Sequence, residues 1–292
     1  MIRLGFHMSI AGSVANSAHD AATLGYSAFQ IFTTSSRSWK HNRPSSNDAE
    51  EFRSIVEQYG MVPNAHVPYL CNPSSPDKET RKKSLAMLVA NMENCNELGI
   101  KHLVVHMGSH LGKGTDVGLS NLADTVTSAL DSVDKVMLLL ETSAGYTNSV
   151  GSSFSEIGHA LSMCSSKRVG LCLDTCHAFA AGYDFTAPDA SKSAFDELRK
   201  HVVEEKLLLF HLNDAKFPLR SGLDRHWHIG KGFIGEKGFI NLFSEKIAGS
   251  SIFIMETPEN ADGNDASNLA AAERIISKAG MSKLISRAAL KG

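Results

Sequence analysis

Eight apolar, β-branched runs alternate with helix-period segments along the 292 residues, and this alternation restricts the fold more than any single residue does. Strands separated by helices pair in parallel, because a parallel neighbour is reached only through a crossover connection. The runs are Leu4–Ile10, Ala28–Thr34, Val62–Val67, His102–His106, Val136–Glu141, Val169–Leu173, Leu207–His211 and Ile252–Glu256. Helices are expected near Val14–Leu24, Asp48–Tyr59, Lys78–Leu98, Ser120–Leu130, Phe154–Cys164, Ser191–Val203, Phe239–Ile247 and Ala266–Ala279. Gly25, Gly60 and Gly99 stand behind the first three as C-cap signals. Runs such as V-M-L-L-L and L-L-L-F are apolar on both faces, which suits a sheet covered on both sides. Eight such units in 292 residues fit an α/β protein of the (β/α)8 TIM-barrel type better than an open doubly wound sheet. Neither G-x-G-x-x-G after the first strand nor G-x-x-x-x-G-K-[ST] occurs, so a nucleotide-binding fold has no phosphate loop. One barrel domain over residues 1–292 is expected, with its active site at the C-terminal ends of the strands.

Composition limits the partners. No apolar run approaches the roughly 20 residues that cross a bilayer, and M-I-R-L-G-F-H at the start reads as a strand rather than a leader. A membrane partner is therefore not expected. The five cysteines (Cys71, Cys95, Cys164, Cys172, Cys176) are odd in number and lack paired spacing. They read as buried free thiols in a reducing, intracellular compartment: cytoplasmic in a prokaryote, nuclear or mitochondrial in a eukaryote. Arg81-Lys82-Lys83 falls on an expected helix and makes a poor nuclear signal. A net charge of -2 gives no global attraction to nucleic acid, so a DNA-binding surface would have to be local. Nothing in the sequence marks an oligomer, and a monomer is the default.

The strand ends carry the chemistry. In Gly170–Asp184, reading G-L-C-L-D-T-C-H-A-F-A-A-G-Y-D, Asp174 and His177 fall where the sixth strand stops and the chain is expected to turn. The third strand ends at His66, the fourth at His106, the fifth at Glu141, the seventh at His211 and the eighth at Glu256. One such residue would be read as a satisfied histidine or a capping carboxylate. Six successive strands ending this way form a constellation at one barrel mouth. Unpaired buried carboxylates cost several kcal/mol each, and Lys and Arg are absent from these ends, which leaves metal ions as the compensating cations. The long loop after the seventh strand, D-R-H-W-H-I-G-K-G-F-I-G, adds Asp224 and His226, spaced to project to one side of an extended segment. Imidazole and carboxylate donors without thiolate favour zinc. With Glu141 as a bridge, the nine residues could hold three zinc ions, manganese being the alternative at one site. Clustered divalent ions suit phosphoryl hydrolysis.

Three long motifs then extend the reading. Asp174–Asp184 (D-T-C-H-A-F-A-A-G-Y-D), His211–Lys216 (H-L-N-D-A-K) and Asp224–Gly235 closely resemble the signatures of the endonuclease IV family of apurinic/apyrimidinic (AP) endonucleases. The resemblance runs from H-M-S-I-A-G-S at His7–Ser13 to M-E-T-P at Met255–Pro258. It implies a zinc-dependent hydrolase of base excision repair. His66, His106 and Glu141 would hold one ion. Glu141, Asp174, His211 and Glu256 would hold a second, and His177, Asp224 and His226 a third. A hydroxide beside the catalytic Glu141 would attack the phosphate 5′ to an abasic site in duplex DNA, leaving a 3′-hydroxyl and a 5′-deoxyribose phosphate. Trimming of blocked 3′ ends is a further implied activity. The same resemblance makes Arg37, Tyr69 and Leu70 side chains that insert into DNA, where a wedge costs least at a missing base. Local charge agrees: residues 33–46 carry Arg37, Lys40 and Arg43 with no acid, and residues 216–237 carry five basic residues, Arg225 and Lys231 among them, against two acids. Met107 stands where the family usually has proline, C-N-P-S-S-P replaces an apolar continuation after Leu70, and Ser35 stands where asparagine is common. The rival readings are a divalent-metal sugar isomerase or epimerase on the same barrel, and a DNA-binding relative without turnover.

Overall fold

The computed structural model describes residues 1–164, 166–245 and 251–289. Eight parallel strands close into a barrel: β1 (Ile2–Met8), β2 (Ala28–Phe32), β3 (Val62–His66), β4 (His102–His106), β5 (Met137–Glu141), β6 (Val169–Asp174), β7 (Leu207–His211) and β10 (Ile252–Met255). Closure is the pairing of β10 with β1, which sets Leu4 beside Phe253 and Phe6 beside Met255. The chain therefore forms the expected TIM barrel. Around it run α1 (Val14–Thr23), α2 (Ser46–Tyr59), α3 (Lys78–Leu98), α4 (Thr115–Ser132), α5 (Phe154–Met163), α6 (Thr175–Ala181), α7 (Pro188–His201), α8 (Gly235–Ser244) and α9 (Asp265–Lys278). Two short strands, β8 (Asp214–Ala215) and β9 (His226–Trp227), make an antiparallel ribbon over the mouth, and β11 (Ile285–Ser286) joins the start of β1.

Local chemistry sets the helix ends. Ser45, Asp77 and Ser153 cap α2, α3 and α5 by accepting from the backbone N–H three residues on, and Asn264 and Ser267 form a reciprocal capping box on α9. Gly60 and Gly99 end α2 and α3 in the left-handed region, at φ of 62° and 70°.

Several sequence expectations change. The first strand begins and ends two residues early, because its pairing with β10 and β2 spans Arg3 to Met8. The fourth helix starts at Thr115 and runs through Gly118. A Cβ on Gly118 would lie 2.7 Å from Val150 Cγ2, so close packing explains this glycine. The seventh helix starts earlier, with Pro188 in its first turn. The eighth helix starts at Gly235; its expected end at Ile247 lies outside the described residues.

Inside the barrel, Ala28, Val104, Leu139, Cys172, Leu209 and Ile254 form a separate buried cluster, contributed by six of the strands. Burial pushes the Cys172 thiol up to about 12, so it stays neutral in this layer. All five cysteines are free and buried. The larger apolar core lies between strands and helices and includes Phe29, Phe52, Phe154, Phe195, Phe239 and Phe253. The polar strand ends thus stand on an apolar plug that keeps them at one face.

Candidate metal centre and nucleic-acid interface

Strand register assembles the site. Parallel pairing sets His106 beside Glu141, Asp174 beside His211, and Phe32 beside His66. Glu141, with a side chain 1% exposed, lies at the centre. Its Oε1 is 2.7 Å from His211 Nδ1, and its Oε2 is 3.0 Å from His66 Nε2 and 3.5 Å from His106 Nε2. Donor atoms lying within 4.8 Å of one another form three relevant groups: His66, His106 and Glu141; Glu141, Asp174, His211 and Glu256; and Asp174, His177 and His226. The first two have the membership expected from the resemblance. In the third, Asp174 takes the compact position, while Asp224 Oδ1 lies 3.1 Å from His177 Nε2 and 3.3 Å from His226 Nε2.

The sixth strand does not end in a plain turn. Asp174 is the N-cap of α6: its Oδ1 accepts from the His177 backbone N–H at 2.8 Å. The cap explains the Asp-x-x-His spacing, because it puts the carboxylate and the imidazole on the same first turn. Backbone carbonyls then orient the rings. His66 Nδ1 donates to Val67 O at 2.7 Å, His177 Nδ1 to Thr142 O at 2.8 Å, and His226 Nδ1 to Glu256 O at 3.1 Å. Each ring is thereby left with Nε2 facing the centre, which is the usual role of the outer hydrogen bond on a ligating histidine.

Two observations show that these donors fit cations. Among the described residues, the Nε2 atoms of His177 and His226 are buried and find no hydrogen-bond partner, despite the nearby Asp224 carboxylate. Among the described residues, Glu141, Asp174, Asp224 and Glu256 make ion pairs with histidines and none with Lys or Arg. The titration directions follow. Burial opposes ionisation of Glu141, yet His106, His211 and His66 hold its carboxyl well below the usual range. Burial likewise opposes charge on His177, yet Asp174, Asp224 and Glu141 raise it well above a free imidazole.

The proposed DNA contacts ring this mouth. Tyr69 is 66% exposed and Leu70 38% exposed, just beyond β3, and the Tyr69 ring is 5.6 Å from that of His106. A cleft of about 300 Å³ beside them is lined by Tyr69, Asn72, His106, Ser109, Tyr146 and Asp224. Arg37 is exposed on the loop between β2 and α2. Arg225 and Lys231 are exposed around β9, where Lys231 Nζ donates to Asp262 O at 2.5 Å.

Comparison with known proteins places this architecture. A family profile described as a xylose isomerase-like TIM barrel matches residues 18–277. A probable endonuclease 4 of Cenarchaeum symbiosum (strain A) is 39% identical over 278 residues, which are 94% of this chain and 99% of the relative. The chain belongs to the endonuclease IV family. Endonuclease IV from Thermus thermophilus superposes with a TM-score of 0.85 at 34% identity, covering 94% of this chain and 99% of that one. A D-tagatose 3-epimerase-like protein superposes with a TM-score of 0.73 at 19% identity, covering 95% and 98% of the two chains, a likeness in fold alone.

Several polar residues of this endonuclease IV barrel escaped the strand-end reading. Asn213, fully buried, donates from Nδ2 to Asp174 Oδ2 at 2.7 Å and accepts at Oδ1 from the Glu256 backbone N–H at 2.8 Å. It stands two residues after His211 in H-L-N-D, so proximity to a candidate ligand was its only signal. Asp214, also buried, accepts from the backbone N–H groups of Gly232, Ile234 and Gly235 and ties down the loop that carries Lys231. Gln30 and His7 reach the centre from β2 and β1; a glutamine inside the apolar run A-F-Q-I-F was the visible signal.

Proposed function

We propose that the protein is a metal-dependent DNA repair endonuclease that cleaves the phosphodiester 5′ to an abasic site in duplex DNA. The observation that carries this reading is the set of buried carboxylates and imidazoles around Glu141, paired with no Lys or Arg among the described residues, in a chain of the endonuclease IV family. Three ions, zinc in the simplest case, would be held by His66, His106 and Glu141; by Glu141, Asp174, His211 and Glu256; and by His177, His226 and Asp224. When bound, they supply Lewis-acid stabilisation of the phosphate and its leaving oxygen.

The chain's own residues do the remainder. Glu141 is held ionised between His66 and His211, and it orients the attacking water and accepts its proton. Tyr69 and Leu70 stand exposed on the rim as an apolar wedge, and Arg37 enters from the neighbouring loop. Arg225 and Lys231 hold the phosphate backbone. Cleavage in this sense leaves a 3′-hydroxyl and a 5′-deoxyribose phosphate, and a blocked 3′ end offers the same phosphate geometry. The five buried free cysteines support an intracellular, reducing compartment, and no described helix is long and apolar enough to cross a membrane. The protein acts as a monomer in this reading.

The test is incision of a duplex bearing one abasic-site analogue, before and after prolonged chelation. One nick 5′ to the lesion, lost on chelation and restored by zinc, is the expected result. Metal-replete protein that leaves this duplex intact, yet epimerises a ketose, would replace this reading with the sugar-epimerase one.

A further inference from the structure

Gln30 is fully buried on β2, and its amide uses every polar atom at the centre. Its Oε1 accepts from His211 Nε2 at 2.9 Å. Its Nε2 donates to Glu256 Oε1 at 2.9 Å and faces His7 Nδ1 at 3.0 Å. One neutral side chain therefore joins two members of the same four-residue group, His211 at the end of β7 and Glu256 just past the end of β10, both across the barrel closure from β2. The consequence for His211 is specific. With its Nε2–H committed to Gln30, its Nδ1 is the nitrogen that faces Glu141 at 2.7 Å and Glu256 Oε2 at 3.3 Å and is the one free to bind a cation there. This orientation is the reverse of His66, His177 and His226, whose Nδ1–H groups are committed to backbone carbonyls. Among the described residues no backbone carbonyl serves His211 in that role; an amide side chain does.

We propose that Gln30 is a positioning residue for the metal centre, selecting the His211 tautomer that presents Nδ1 and holding the Glu256 carboxylate in the same plane of approach. An amide suits the task because it accepts from the imidazole and donates to the carboxylate at once; a carboxylate would repel Glu256, and an aliphatic residue would serve neither. The same amide leaves His7 protonated on Nε2, a buried nitrogen without a hydrogen-bond partner among the described residues. The inference rests on the metal-centre reading above.

The test uses the full-length chain and reads ion binding, not turnover. Gln30→Met keeps an unbranched side chain of similar length while removing all three polar contacts. Zinc affinity is measured by competition with a chromophoric chelator, on wild type, Gln30→Met and Asn64→Leu. Asn64 is a buried barrel amide bonded to Phe29 O and His102, away from the centre, and serves as the control. One ion is expected to bind about 10- to 100-fold more weakly in Gln30→Met, with the others and the Asn64→Leu protein within about twofold of wild type. In zinc-loaded wild type, ¹⁵N-histidine NMR should find His211 protonated on Nε2, with Nδ1 carrying the metal shift. A folded Gln30→Met with unchanged affinity for every ion, or a His211 protonated on Nδ1, would overturn the proposal. Wild-type protein that binds no divalent ion would overturn the metal-centre reading, and this inference with it.

Discussion

Replacing Glu141 by glutamine should abolish incision while leaving recognition of the lesion in place. The side chain is 1% exposed, and four imidazole nitrogens surround it at 2.7, 3.0, 3.5 and 3.6 Å. Glutamine preserves shape but removes the charge and converts one acceptor oxygen into a donor. A unit charge about 4 Å away is worth about 4 kcal/mol at an effective dielectric near 20, so a cation facing position 141 would be held roughly a thousandfold more weakly. Loss of the proton acceptor removes a further factor of about 10² to 10⁴ from the chemical step. The rate should therefore fall by at least about 100-fold even with metal in excess. Arg37, Tyr69, Leu70, Arg225 and Lys231 make no hydrogen bond to Glu141 among the described residues, so affinity for an abasic duplex should stay within about fivefold. Single-turnover incision at saturating enzyme, fluorescence anisotropy on the uncut duplex and metal content would be measured on one preparation. Incision within about tenfold of wild type by a fully metallated Glu141→Gln protein would refute the role assigned to this carboxylate.

Three further outcomes follow from other parts of the molecule. Arg37→Ala should weaken binding to abasic duplex and reduce the slope of log K against log salt by about 0.9, the share of one phosphate contact; an unchanged slope would take this loop off the DNA. Gly5→Ala should prevent folding or lower the melting temperature sharply, because a Cβ there would lie 1.6 Å from the Ala28 carbonyl oxygen; a wild-type melting curve would show that β1 and β2 can separate without cost. Chelated protein should lose stability both in acid and above about pH 8; between these limits burial lowers His7, His102 and His106, which adds stability as pH rises through the ordinary imidazole value of about 6.5. His177 and His211 lie well above the 6.5 of a free imidazole, so their contribution is complete below that pH and lost as pH rises through the raised values. Glu141 and Glu256 lie below the 4.5 of a free carboxyl, so theirs is present above that pH and lost as pH falls through the depressed values. A melting temperature of chelated protein that climbs from about pH 8 to 10 would contradict this sign.

Much of the molecule was legible in one dimension. Barrel strands need apolar residues on both faces, and helices need caps, so V-M-L-L-L, L-L-L-F and the glycines at 60 and 99 announced their elements directly. The ligand candidates were legible for a related reason. A (β/α)8 barrel directs every strand the same way, so the last residue of each strand reaches the same mouth, and His66, His106, Glu141, Asp174, His211 and Glu256 could be grouped by position alone. The helix after Asp174 was less visible, because T-C-H-A-F-A-A spans only two turns and its first residues also read as a turn.

What the tertiary structure decided is which of these groups face each other, and how. Ring tautomers, the exchange of Asp174 for Asp224 in the compact third group, and the roles of Gln30, Asn213 and Asp214 depend on hydrogen bonds spanning up to 226 residues of sequence. Residue order and hydrophobic period specify elements and their direction, since both arise from local sterics and from burial. Angles and distances between polar groups on different strands arise only when register and barrel closure bring them within 3 Å, and no local pattern encodes that separation.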